Sequence, residues 1–502
     1  MKLARLVPKL NQDQSPYSDA VADYARRNIN RLATPGHQVS QHAQPFLWDF
    51  FGPDILSLDV PALVEGIDHG PYPTPYDRSL ELAADAWGAR RTWFLTNGAS
   101  KGNVMTCVAL GSLGDTIVLQ RSMHSSVIDG LAFSGLNAHF VYPSVDKDLG
   151  VANGVTPESL DAQLTQAKST GADVCAAYVV TPSYFGAVAD VSALAAVAHR
   201  HGVPLVVDEA WGAHFGFHDG LPTNAIRLGA DVVISSTHKL GGSFSQSAML
   251  HLGETEFADS LEPLLERAFR SFQSTSVNAF LLASLDLARR ALATRGTHTI
   301  GASLDGVAQM RSEFARLGRF VDIAPVLLSY PDVIGTDPLR VSINTRVGGI
   351  SGHEARSILL DKFDTHCEMA TASTVVMLIG AGVAPRVSET ISAFHELPMT
   401  LRDGESASVL DLPRAGDSVM RVRDAYFART DVVSASEAIG RVSADSVAAY
   451  PPGIPNLLPG ELITTETVDF LQATINQPFG HVRGGASTDM TSFRVVRDVT
   501  NK

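Results

Sequence analysis

The residues of this chain that can do chemistry sit where short apolar runs end. In SSTHKLGGSFSQSA (235–248) a lysine, Lys239, follows an apolar strand-like run, flanked by hydroxyls, a histidine and glycines. A lysine amine in such a setting can condense with an aldehyde cofactor as a Schiff base. Ser236 and His238 are of the right type to bind a phosphate, and Gly241-Gly242 lets backbone pass close to a ligand. The plain alternative is a surface lysine beside a turn.

Four other segments carry similar signals. Asp208 ends the apolar run of VVDEAWGAHFG (206–216). A carboxylate there can pair with the protonated pyridine nitrogen of pyridoxal phosphate (PLP), and Ala210 is small enough to lie flat against a ring face. Asp208 could equally cap the next helix. In FLTNGASKGN (94–103) a strand runs through Asn97, Gly98, Ala99 and Ser100 into a helix. Backbone N–H groups and the Ser100 hydroxyl would meet a phosphate at that helix start. His124, in QRSMHSSVIDG (120–130), can stack on a cofactor ring or assist proton transfer, or be structural. Thr181, Ser183 and Tyr184, in VVTPSYFGAVADV (179–191), offer hydroxyls at another strand end, or form its turn.

Such residues need a frame that brings strand ends together. From about residue 90, strand-like runs (RTWFLTN, TIVLQ, AHFVYP, VCAAYVV, PLVVDEA, DVVISS) alternate with helical patterns such as SKGNVMTCVALGSLG and VSALAAVAHRHG. Alternation of this kind predicts an α/β domain with a mainly parallel sheet covered on both faces. Ligands of such sheets bind beyond the carboxyl ends of the strands, where the chemical residues fall. Upstream, YSDAVADYARRNINRLA reads as a helix ending at Thr34-Pro35-Gly36-His37, and the proline-rich loop HGPYPTPYDRS (69–79) introduces the helix SLELAADAWGA. Downstream, FLLASLDLARRALATRG is a long helix leaving the domain. LRVSIN and STVVMLIG flank the helix SGHEARSILLDKF in a smaller α+β part. The expected division is an N-terminal segment 1–75, a large cofactor-binding domain 76–320 and a small C-terminal domain 321–502. Within the last, AYPPGIPNLLPGE (449–461) is too rich in proline and glycine for long regular structure.

Composition sets outer limits. The chain has 502 residues, 45% of them hydrophobic, and a formal net charge of -14. That is enough chain for more than one cored domain. The negative charge disfavours nucleic acid as a partner and favours a cationic small molecule. Three separated cysteines give no disulfide framework or zinc motif and fit a reducing cytoplasm. No secretory signal is apparent, and no apolar run reaches the ~20 residues of a membrane helix.

In combination, TNGAS, the histidine of RSMHSS, DEAWGAHF and Ser236-Thr237-His238-Lys239 stand in the chain order of fold-type I PLP enzymes. Residues 94–248 resemble the bacterial ornithine/lysine/arginine decarboxylase family (group III), and the resemblance runs from about Thr34 onward. It implies an aspartate-aminotransferase-like fold, PLP as cofactor, and decarboxylation of a basic amino acid to an amine of the kind used in polyamine biosynthesis. QSTSVNAFLLASLD (273–286) resembles the family segment that reaches the neighbouring subunit's cofactor phosphate. This implies a homodimer, with Thr275 and Ser276 acting across the interface. AYPPGIPNLLPGELIT resembles the family's C-terminal signature. With no room for a long N-terminal wing domain, the chain looks like the short, wingless type. Two departures bear on the substrate more than the cofactor: the proline-rich 69–79 loop, and Val277 where proline is frequent.

The resemblance assigns Lys239, Asp208, His124 and His238 to catalysis. Lys239 or His238 would return the proton to Cα after carbon dioxide leaves. The α-carboxylate should occupy a weakly polar pocket, because stabilising its charge opposes its loss. A distal cation needs an acidic partner. Glu368, in HCEMA, is the candidate by family position and Asp489 is a second. Arginine would favour a bidentate contact, lysine or ornithine a point contact. Another fold-type I reaction, transamination or aldol-type cleavage, stays open. A transaminase would need an arginine for the α-carboxylate, and Arg386 and Arg494 are available. A regulatory paralogue should have lost Lys239, Asp208 or His124, and all three are present.

Overall fold

The computed structural model describes residues 10–401, 413–449, 454–476 and 481–497. A seven-stranded sheet forms its centre, in the order Arg91–Leu95, Ala248–Leu252, Val232–Ser235, Leu205–Asp208, Val174–Val180, Thr116–Gln120, Asn137–Val141. The strands from Val232–Ser235 to Asn137–Val141 pair in parallel, and Ala248–Leu252 alone runs against the direction of the other six. The runs TIVLQ, LVVD, VVIS and AMLHL are buried along their whole length. That is why they read as continuous apolar stretches rather than alternating ones. Alternate side chains serve opposite faces. Ile117, Leu119 and Ile234 pack with the helices Gly98–Leu110, Ser125–Ser134 and Ala258–Phe272. Val118, Val207 and Val233 pack with Pro157–Ser169 and Val191–Arg200. Each such buried side chain contributes about 1.5–3 kcal/mol. The α/β expectation therefore holds.

Local chemistry sets the element ends. The helix Pro75–Trp87 starts on a reciprocal cap between Thr74 and Asp77 with proline at its first position, and stops at Gly88 in the left-handed region. The HGPYPTPYDRS loop thus contains the start signal of the helix it introduces. The expected N-terminal helix is shorter than its pattern, Pro16–Arg26, and a second helix, Pro45–Ser57, kinked at Gly52-Pro53, was not anticipated. Its apolar residues are not gathered on a buried face, since Phe46 and Phe50 are 85% and 81% exposed. The amphipathic signature that reveals a helix in sequence is therefore missing.

The helix Ala279–Leu317, 39 residues long, leaves the central sheet. It packs on an antiparallel four-stranded sheet ordered Val321–Asp322, Arg340–Asn344, Thr374–Leu378, Met369–Ala370. From residue 413 onward, two further small sheets enclose a hydrophobic cluster of their own, including Val447, Leu457, Leu471 and Phe493. The part read from sequence as one unit, 321–502, therefore has two cores. The apolar residues of the second are spread thinly between turns, so neither a strand period nor a helix period marks it. Among the described residues, no helix is long and apolar enough to cross a membrane.

Candidate active site

Five segments meet beyond the carboxyl ends of the strands, around a cavity of about 310 Å³. Its walls include Gly98, Ala99 and Ser100, then His124, Tyr184, Asp208, Ala210, Ser236, His238 and Lys239. Residues scattered over more than a hundred positions of sequence are thus gathered at one edge of one sheet.

Asp208, 3% exposed, is the most firmly held of them. Its Oδ2 accepts from Asn103 Nδ2 at 3.0 Å and from the Tyr178 hydroxyl at 3.3 Å, and its Oδ1 accepts from the Ala210 N–H at 3.0 Å. Tyr178 has one hydroxyl proton, which it shares between this carboxylate and the nearer Asn103 Oδ1 at 2.9 Å. A buried carboxylate so supplied with donors is fixed in place as a charged acceptor. Lys239 follows the strand Val232–Ser235 within a single turn of helix, and its Nζ lies 3.6 Å from the centre of the Trp211 ring. Burial depresses its amine to about 8, with Arg340 acting in the same direction and Asp208 and Glu368 opposing.

The two histidines have defined tautomers. The Ser126 N–H donates to His124 Nδ1 at 3.2 Å, which leaves the ring proton on Nε2. His238 Nδ1 donates to the Ser247 carbonyl at 2.9 Å, which leaves Nε2 as the acceptor. Burial lowers both imidazoles below their ordinary range. For His124, Asp208 opposes this effect and Lys239 adds to it. For His238, the Ser247 carbonyl opposes and Lys239 adds.

A phosphate fits the wall at the start of the helix Gly98–Leu110. The helix Gly98–Leu110 starts there with Asn97 giving no side-chain cap, so the first N–H groups stand at the cavity without that partner. Gly98 has φ +77, a left-handed conformation that turns the strand into the helix and that glycine adopts without strain. Gln246, on the same wall, has φ +77 without being glycine and donates from Nε2 to the Thr96 carbonyl. A ring-bearing phosphate ester would therefore find an anion site at one end, a fixed carboxylate at Asp208 and an amine at Lys239. These residues fit PLP.

The other residues singled out in the sequence lie elsewhere. The Thr181 hydroxyl accepts from the Ala189 N–H, and the Ser183 hydroxyl accepts from the Phe185 and Ala187 N–H groups. Ser183 lines a smaller cavity of about 30 Å³ that shares Ser122, Val180 and Tyr184 with the main one. Thr275 and Ser276 are exposed and line neither cavity. Glu368 is exposed, next to the strand Met369–Ala370, with its charge felt by Lys239, His238 and Arg340. Asp489 accepts from Thr491 in an exposed turn of the C-terminal part and does not line the cavity. Arg386 is exposed at the start of the helix Val387–His395, and Arg494 pairs with Asp445. In the C-terminal signature, residues 450–453 lie outside the described residues.

Sequence reasoning missed four residues here. Asn103 and Tyr178 orient Asp208. Trp211 packs beneath Lys239 and against Tyr184, with ring centres 5.2 Å apart. Arg340, 2% exposed, lies with its guanidinium carbon 4.5 Å from the centre of the Trp211 ring, donates to the Tyr184 carbonyl, and leaves Nε and Nη2 without partners. A polar asparagine directly before the apolar run VMTCVAL (104–110) of a helix was a usable signal. Arg340, in an ordinary-looking strand, gave none.

Comparison with known proteins follows this geometry. The model of the Orn/Lys/Arg decarboxylase major domain matches residues 15–361, and that of the family's C-terminal domain matches residues 415–481. The arginine decarboxylase of Bacillus subtilis (strain 168) is 31% identical over 498 residues, covering 97% of this chain and 99% of the relative. The arginine decarboxylase of Bacillus cereus is 32% identical over 461 residues, covering 90% and 97%. Among solved structures, the Francisella novicida lysine decarboxylase superposes with a TM-score of 0.79 at 20% identity, covering 96% of this chain and 81% of that one.

Proposed function

The chain belongs to the Orn/Lys/Arg decarboxylase family, and from that premise we propose that it uses PLP, held through Lys239, to remove the α-carboxyl of arginine as carbon dioxide. The fold is fold-type I, and the chain is an amino-acid decarboxylase. The observation that carries the cofactor reading is the pairing of a depressed, buried Lys239 with an Asp208 hydrogen-bonded at both oxygens in one cavity. Full-length relatives at 31% and 32% identity named arginine decarboxylase support arginine over lysine or ornithine.

Each residue has a task on this reading. The N-terminus of the helix Gly98–Leu110, with Ser100 and Ser236, holds the phosphate. Asp208 keeps the ring nitrogen protonated, and His124 and Ala210 hold the ring faces. Bound PLP supplies the electron sink for the pair left at Cα when the carbon–carboxyl bond breaks. Lys239, which shares the cavity with Asp208, would be the group that returns the proton to Cα. His238 Nε2, an acceptor, would be the second group able to relay that proton, taking it up before passing it on. Glu368 meets the substrate guanidinium, and Thr275 and Ser276 of one subunit reach the phosphate of another in a homodimer.

The test is carbon dioxide release from arginine, lysine and ornithine by PLP-loaded protein, with visible absorbance followed in parallel. Arginine should be the substrate, Lys239→Ala should lose both the absorbance band and the activity, and Glu368→Gln should raise KM for arginine about tenfold with kcat little changed. Keto acid in place of carbon dioxide would move the reaction to transamination. Absence of a band after loading would refute the cofactor assignment.

A further inference from the structure

One buried ion pair joins the C-terminal part of the chain to the cavity wall. Arg121 immediately follows the strand Thr116–Gln120 and precedes Ser122 and His124, both of which line the cavity. Its side chain turns away from the cavity. Nη1 donates to Glu461 Oε1 at 2.5 Å and Nη2 to Glu461 Oε2 at 2.9 Å. Nε and Nη2 also donate to the Pro455 carbonyl at 3.2 and 3.1 Å. The guanidinium carbon lies 4.6 Å from the centre of the Phe140 ring. Arg121 is 1% exposed and Glu461 3%. Glu461 Oε2 further accepts from the Leu458 N–H at 2.8 Å, so it organises its own loop as well.

A fully desolvated pair of this kind adds little net stability over apolar residues of the same size. What it does fix is geometry, because a bidentate arginine–carboxylate contact tolerates one arrangement of the two backbones. Here those backbones are the C-terminal part and the three residues that end at His124. One further contact runs the same way: Ile454 lines the small cavity with Ser122 and Tyr184.

We propose that Arg121 and Glu461 are positioning residues for the cofactor site: through this clamp, the C-terminal part of the chain holds the segment Ser122–His124 in the place from which His124 faces the ring. The inference rests on the PLP reading above. It assigns the C-terminal part a role within the site rather than beside it, although none of its described residues lines the main cavity.

The experiment compares wild type with Glu461→Gln, which keeps size and removes charge, and with Arg121→Lys, which keeps charge and removes the fork. Asp322→Asn is the control. It breaks the half-buried Arg311–Asp322 pair that ties the long helix to the small four-stranded sheet, away from the cavity. Amide hydrogen exchange over residues 122–128 is measured on cofactor-free protein, followed by the PLP dissociation constant and the induced circular dichroism of the bound cofactor. Glu461→Gln should speed exchange in that segment at least tenfold, weaken PLP about tenfold and reduce the dichroic signal. Arg121→Lys should do the same to a smaller degree, and Asp322→Asn should lower the melting temperature alone. If Glu461→Gln lowers the melting temperature while local exchange and PLP dissociation stay within twofold of wild type, the clamp is purely structural and the proposal fails. If Glu461→Gln does not fold, Arg121→Lys decides by the same criteria. If wild type takes up no PLP, the cofactor reading fails. Tenfold faster exchange in Glu461→Gln would then still establish the mechanical link, and unchanged exchange would refute it.

Discussion

Lys239 should be unusually reactive in the cofactor-free protein, and the extent follows from its surroundings. Burial takes its amine from 10.5 to about 8, a difference of about 3 kcal/mol between charged and neutral forms. At pH 7.5 about a quarter of Lys239 would be neutral, against about one part in a thousand for an ordinary lysine, an advantage of about 200-fold. A small neutral acylating reagent, with modified peptides quantified by mass spectrometry across pH, reads this directly, and exposed Lys362 serves as the internal standard. Asp208 favours the ammonium form, so Asp208→Asn should move the midpoint further down. The same shift has a signature in stability. The folded value lies below the unfolded one, so the unfolded chain binds more protons between about pH 8 and 10.5. The penalty for the buried ammonium is therefore full below pH 8 and fades as pH rises to 10.5. Lys239→Met should abolish that rise. A labelling midpoint near 10 in wild type, or an upward move in Asp208→Asn, would refute the claim that burial controls this amine.

Two further predictions concern the groups around the lysine. Asn103→Ala removes a donor at 3.0 Å to the Asp208 carboxylate; a hydrogen bond to a charged group is worth about 1.5–3 kcal/mol, so PLP should be retained about 10- to 150-fold less tightly, measured by cofactor dissociation. Gly98→Ala has ordinary room for its Cβ, 3.5 Å from the Gln246 carbonyl oxygen, but must hold φ +77. It should cost about 1–2 kcal/mol in denaturant unfolding, and inorganic phosphate should then protect the protein less well than it protects wild type.

The sequence by itself determined the sheet and most of its edge. Strands buried on both faces must be apolar throughout, and helices between parallel strands must carry an apolar stripe, so TIVLQ, VCAAYVV and VVIS could be placed without coordinates. Because ligands of such sheets lie beyond the strand ends, Gly98, His124, Asp208 and Lys239 followed from strand placement. What supports those groups from behind was not legible. Asn103 and Tyr178 reach Asp208 from 105 and 30 positions away, and Arg121 meets Glu461 across 340. No local period records a hydrogen bond between distant segments. The same limit explains the C-terminal part, whose core residues are recruited from separated turns. It also explains the hydroxyls of Thr181 and Ser183. Their residue types suit a ligand, but only the folded backbone shows those oxygens taken up by neighbouring N–H groups. Residue type and strand position are properties of the chain. Which donor meets which acceptor is decided when the layers pack, because only packing brings remote backbone and side chains within 3 Å of each other.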